Sequence, residues 1–166
     1  MSRQLSYNYQ TPKGTAGSLY DISPYAIDSR VNGGSKAEAM MFGMGAVRGD
    51  TPGTNVVVPK AADTADKFEG VILTGYTNMM NMDGDVKIEP LQTVGLLRWG
   101  RAWVRVDPDA EDIAYGDKLY LISDGEKAGL FTNDDDDGDN LAIKGRFIGG
   151  LGSGNIAPAE IYNQMA

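Results

Sequence analysis

Few residues here can do chemistry, because the chain of 166 residues has neither His nor Cys. That removes the commonest general base and metal ligand, along with thiolate nucleophiles, disulfides, structural zinc and iron–sulfur ligation. Carboxylates remain. Asp107, Asp109, Glu111 and Asp112 have the residue types for paired acid–base work or for holding magnesium, although carboxylates sharing one polar loop are ordinarily just solvated. In Asn133-Asp134-Asp135-Asp136-Asp137-Gly138-Asp139, the residues Asn133, Asp135 and Asp137 precede Gly138 at the spacing of a calcium loop. The twelfth position, however, is Lys144 where a bidentate Glu is required. The run reads as a solvated acidic turn between strands, with a weak non-helical divalent site as the other reading; no metal or cofactor is expected. Gly149 to Gly154 lacks the third Gly of a dinucleotide loop and the Lys-Ser/Thr of a phosphate loop, so it reads as a connector.

Binding chemistry is better represented. From Arg98 to Val106 the sequence alternates, so a strand would carry Trp99, Arg101, Trp103 and Arg105 on one face and Ala102, Val104 and Val106 on the other. Trp and Arg are the types most enriched among interface hot spots, which makes this face an oligomer or partner interface; the competing reading is a cation–π ladder within one protomer. Four tyrosines, Tyr7, Tyr9, Tyr20 and Tyr25, together with Arg30, lie in an opening segment of Ser, Asn, Gly and Pro without helical or alternating period. Such a segment orders on a partner surface or folds back on its own domain. Met40, Met41 and Met44 suit core filling, whereas Met79 and Met80, in a loop before Asp83-Gly84, suit a contact between subunits.

The elements that must position these residues are short strands: 56–58, 68–74, 86–89, 94–106, 119–122, 130–132 and 143–148, each β-branched or aromatic and bounded by Gly, Pro, Asn or Asp. Asp83-Gly84 and Asp124-Gly125 supply hairpin turns. The expected fold is mainly β, a small antiparallel β-barrel or jelly-roll-like sandwich with an extended N-terminal arm and little helix. Short helices are expected only at 36–42 and 158–165, the second with Pro158 in its first turn. Residues 1–50 form the arm and lead-in, and 51–166 the β-rich domain. Ile, Leu, Val and Phe make up about a fifth of the chain, enough for a modest core. The net charge is −8, with six basic and four acidic residues up to residue 60 and nine and nineteen beyond it. An acidic chain repels phosphate backbones, so no direct nucleic-acid partner is expected. No stretch of 18 apolar residues or signal-like N-terminus occurs, so no membrane partner is expected either.

Ile27-Asp28-Ser29-Arg30, the stretch from Met41 to Gly49, Phe68-Glu69-Gly70-Val71, Gly95 to Val106, Ile113 to Tyr120 and Ile143 to Phe147 follow one another in an order that resembles the capsid cement, or decoration, proteins of tailed bacteriophages. The resemblance covers about residues 20–150. It implies a non-enzymatic virion structural protein, made in the host cytoplasm. Such a protein assembles as a homotrimer, or a dimer, on the outside of the expanded capsid and clamps adjacent major capsid protein subunits. Two other readings stand beside it: a phage tail or baseplate β-domain, and a trimeric magnesium-dependent nucleotide hydrolase built on the carboxylates.

Overall fold

The computed structural model describes residues 14–75 and 86–163. Nine strands run through the described residues: β1 (Ala26–Asn32), β2 (Gly45–Arg48), β3 (Asn55–Val57), β4 (Phe68–Ile72), β5 (Thr93–Arg105), β6 (Lys118–Leu121), β7 (Phe131–Thr132), β8 (Leu141–Phe147) and β9 (Ile156–Tyr162). Three single 3₁₀ turns, Ala65–Lys67, Gly125–Lys127 and Asp136–Gly138, are the helical content among them. The sheet order is β1-β3-β2-β4-β5-β9-β8-β6-β7, and a further β1–β5 pairing closes the first five strands into a barrel. All pairs are antiparallel except β1 with β3.

β5 is long enough to serve two bodies. Its first half closes the barrel against β1 and β4, and its second half carries β9, β8, β6 and β7 as a second layer. A single parallel bridge, Val106 to Phe131, ties β7 back to the end of β5. Val94 and Leu96 on β5 pack with Met40, Met44, Ala46, Val56 and Ile72 inside the barrel. Further along, Ala102, Val104 and Val106 pack with Leu119, Phe131, Ile143, Phe147 and Ile161 in the second layer. Gly145 lets β8 approach β9: a Cβ there would lie 2.4 Å from the Glu160 carbonyl oxygen.

The mainly β architecture matches the expectation, but several local readings do not survive. Residues 36–42 make turns, with Met40 bridging Ile88, and Gly43 at φ 79 ends any helical path there. Between residues 158 and 162 the chain is strand, because Ala157, Ala159 and Ile161 all point into the core where a helix would turn every third residue away. The stretch 86–89 makes isolated bridges at Val86 and Ile88 in place of a strand. β1 and β2 belong to the same sheet as the rest, so the sheet does not break near residue 50.

Candidate functional site

Strand registry builds the candidate face. β5, β9 and β8 lie side by side, and residues opposite one another share a face. Trp99 stands beside Tyr162, Arg101 beside Glu160, and Trp103 beside Pro158. The middle row continues through Glu160 to Arg146 and Lys118. Arg101 Nε donates to Glu160 Oε1 at 3.0 Å and its Nη1 to Asp21 Oδ2 at 2.9 Å. Arg146 approaches the other carboxylate oxygen with two donors, Nε and Nη2, each at 3.2 Å. Its guanidinium carbon lies 5.5 Å from the ring centre of Tyr115, which is exposed.

Glu160 is the buried centre of this group. Burial alone would raise its carboxyl pKa, but hydrogen bonds with the Tyr162 hydroxyl, Arg101 and Arg146 outweigh that and hold it below the usual glutamate value. The hydrogen bond to Glu160 in turn raises the Tyr162 phenol above its ordinary value. The anchored carboxylate fixes two guanidinium groups among tyrosines without using all their donors. A surface of fixed Arg and Tyr buries large area at small entropic cost, so it suits protein contact.

Residues 14–20 form a strap over the neighbouring part of β5. Gly17 N–H donates to the Trp103 carbonyl at 2.8 Å, Trp103 N–H to Ser18 at 2.9 Å, and Tyr20 N–H to Arg101 at 3.0 Å. Thr74 N–H also donates to Gly17, which holds the strap against the end of β4. The Tyr20 ring centre sits 5.6 Å from that of Trp103, and a Cβ on Gly14 would collide with the indole. Trp103 is consequently 9% exposed. For residues 14–20, the chain folds back on its own domain.

The residues expected to act together are therefore divided. Trp99 is half-buried, Arg101 sits in the surface network, and Tyr20 and Tyr25 remain exposed. Trp103 lies under the strap, and Arg105 Nε donates to the Phe42 carbonyl at 2.8 Å. Arg30 is held inside the protein by Asp28 at 3.0 Å. Tyr7, Tyr9, Met79 and Met80 lie outside the described residues. Met40 and Met44 are in the core as expected.

The carboxylate chemistry does not assemble. Lys127 Nζ lies 2.8 Å from Asp107 Oδ1 and also pairs with Asp109, so that acidic pair is occupied by an internal cation. Among the described residues no group of three or more Asp or Glu side chains is placed to hold a metal, the Asp134 to Asp139 turn included. Sequence reasoning missed Glu160, Arg146, Tyr162, Tyr115 and Asp21. The signal for the first and third was legible as the alternation of Pro158, Glu160 and Tyr162 against Ala157, Ala159 and Ile161.

The described residues thus form a two-layered β fold with a fixed group of Tyr and Arg side chains on one face. The same fold occurs in a chain of the solved capsid of Myoviridae phage XM1, with a TM-score of 0.71 and 18% identity over 99% of this chain and 100% of that one. No curated protein matches the sequence. The family model for phage structural cement protein (E217 gp24/Pam3 gp6) matches residues 3–162, and the chain belongs to that family. Membership makes it a phage structural cement protein.

Proposed function

We propose that the protein binds the outer surface of the expanded capsid, bridges adjacent major capsid protein subunits and stabilises the head against expansion stress and disassembly. Supporting this is the face of Trp99, Arg101, Tyr162, Arg146 and Tyr115, where two guanidinium groups are fixed on one buried carboxylate. Tyr20 and Tyr25, exposed beside this face, extend it, and the segments carrying Tyr7, Tyr9, Met79 and Met80 supply further contacts to the shell or to another copy. Trp103, Arg105 and Arg30 act from within by holding the strap, the β5 edge and β1. Self-association as a homotrimer, with a dimer as the other symmetric choice, would multiply weak contacts through effective concentration. A protein that binds only the expanded shell stabilises that state by mass action.

Co-sedimentation with expanded capsids lacking this protein tests the reading. Saturation at a copy number equal to the capsid protein count, or a simple fraction such as one-third, supports decoration. Saturation at a handful of copies favours a tail or baseplate position, and no binding overturns both. Multi-angle light scattering of the free protein decides between trimer and dimer.

A further inference from the structure

The first barrel carries a charge ladder on its inner side. Asp28, Arg30 and Arg48 pair in register with Leu96, Val94 and Val56, all members of the barrel core, so they share the core's side of their strands. Asp28 Oδ2 accepts from Arg98 Nη1 at 2.9 Å and from Arg30 Nη2 at 3.0 Å. Glu69 lies 4.0 Å from Arg30 Nη2 and 3.4 Å from Arg48 Nε. The ladder is unbalanced: three guanidinium groups share Asp28 and Glu69, and Asp66, 3.9 Å from Arg48, is largely exposed.

The imbalance leaves donors without acceptors. The Nε atoms of Arg30, Arg48 and Arg98 are all buried with no hydrogen-bond partner, Glu69 lying off the donor direction of Arg48. Buried unpaired donors on charged groups are costly, and an added acceptor nearby relieves that cost. Arg48 and Arg98 both line a cleft of about 370 Å³, with Asp66, Glu69, Lys144 and Asn163 around it. Three cations thus face two anions in a chain whose net charge is −8. One added carboxylate neutralises that excess, whereas a phosphate dianion would overshoot it beside Glu69. The exposed walls of Ala65 and Ala142 leave room for a short aliphatic stem.

We propose that this cleft receives one acidic side chain from a neighbouring polypeptide of the capsid shell, its carboxylate pairing with the guanidinium groups of Arg48 and Arg98 that line the cleft. This rests on the capsid reading above and names a chemical contact within it. Arginine suits the role because its planar fork can serve Asp28 or Glu69 with one edge and an incoming carboxylate with another.

The test follows the arginine Nε–Hε signals of the full-length ¹⁵N-labelled protein while capped glutamate, N-acetylglutamic acid α-amide, is titrated. Arg101 and Arg105 are internal controls, since their Nε atoms already donate to Glu160 and to the Phe42 carbonyl. Saturable shifts of Arg48 and Arg98 alone, absent with capped glutamine, are expected, and R48Q should weaken binding about tenfold, as for a lost charged hydrogen bond. The backbone amide spectrum shows whether R48Q stays folded, and K144Q, on an exposed residue outside the ladder, serves as second variant with a smaller loss. Equal displacement of all four arginines overturns the proposal, as does tighter saturation by inorganic phosphate. Undiminished capsid binding by folded R48Q would overturn the proposed contact and leave the cement role intact. Failure of the wild-type protein to bind capsids would instead overturn the capsid reading, and with it the identity of the occupant.

Discussion

Trp99 and Trp103 are four residues apart on one face of β5, yet replacing them should have unequal consequences. Trp103 is covered by Gly14 and Tyr20 of the strap and is 9% exposed. Truncating it to Ala forfeits on the order of 130 Å² of buried apolar surface, or about 3 kcal/mol at about 25 cal/mol per Å². The Tyr20 ring contact adds about 0.5–1 kcal/mol that the same substitution removes. For a chain of this size the loss corresponds to a fall in Tm of roughly 7–16 °C. Because the strap's backbone bonds run to Trp103 and Arg101, removal of the indole should also loosen residues 14–20. Urea unfolding at pH 7 gives the first quantity, and limited trypsin digestion at Lys13 and Arg30 reports the second. W99A, at a half-buried position, should cost about 1 kcal/mol or less and leave the strap in place. A W103A protein within 1 kcal/mol of wild type, or one no more sensitive to trypsin, would show that the strap does not depend on this contact.

The strap also predicts that a protein lacking residues 1–20 should melt at a lower temperature than one lacking only residues 1–13, as thermal melts of the two proteins will show. E160Q should destabilise the protein at neutral pH, and the difference from wild type should shrink in acid. The carboxylate pKa is held down in the folded state, so its stabilisation is present above the ordinary glutamate range and disappears as pH falls through the depressed value. Urea midpoints at pH 7 and pH 3 check the sign, and a difference of constant size would refute it. G145A places a Cβ against the Glu160 carbonyl, 2.4 Å away, and should cost about 2 kcal/mol or more by forcing β8 from β9; hydrogen exchange at Ile161 and Phe147 would rise with it.

The inequality between the tryptophans shows where sequence stops being informative. Alternation from Arg98 to Val106 is a local property, and it correctly placed Ala102, Val104 and Val106 in the core because successive side chains on a strand must point to opposite faces. The lack of His and Cys bounded the chemistry in the same local way, and Asp124-Gly125 marked a turn that the structure keeps, with Gly125 at φ 72. β9 was misread because Pro at a helix start and Pro in a strand give one sequence signal, and the alternation around Glu160 had to be weighed against it. No sequence pattern tells that residues 14–20 return to cover Trp103, or that Arg101, Glu160 and Arg146 stand in one row. Those relations join residues 59 and 14 positions apart. The sequence by itself determined the strand-forming character, the excluded chemistries and the family. Which aromatic is exposed, which arginines are occupied and which remain unpaired were decided only by the tertiary structure, because register and chain return are set by packing of distant segments and leave no local trace.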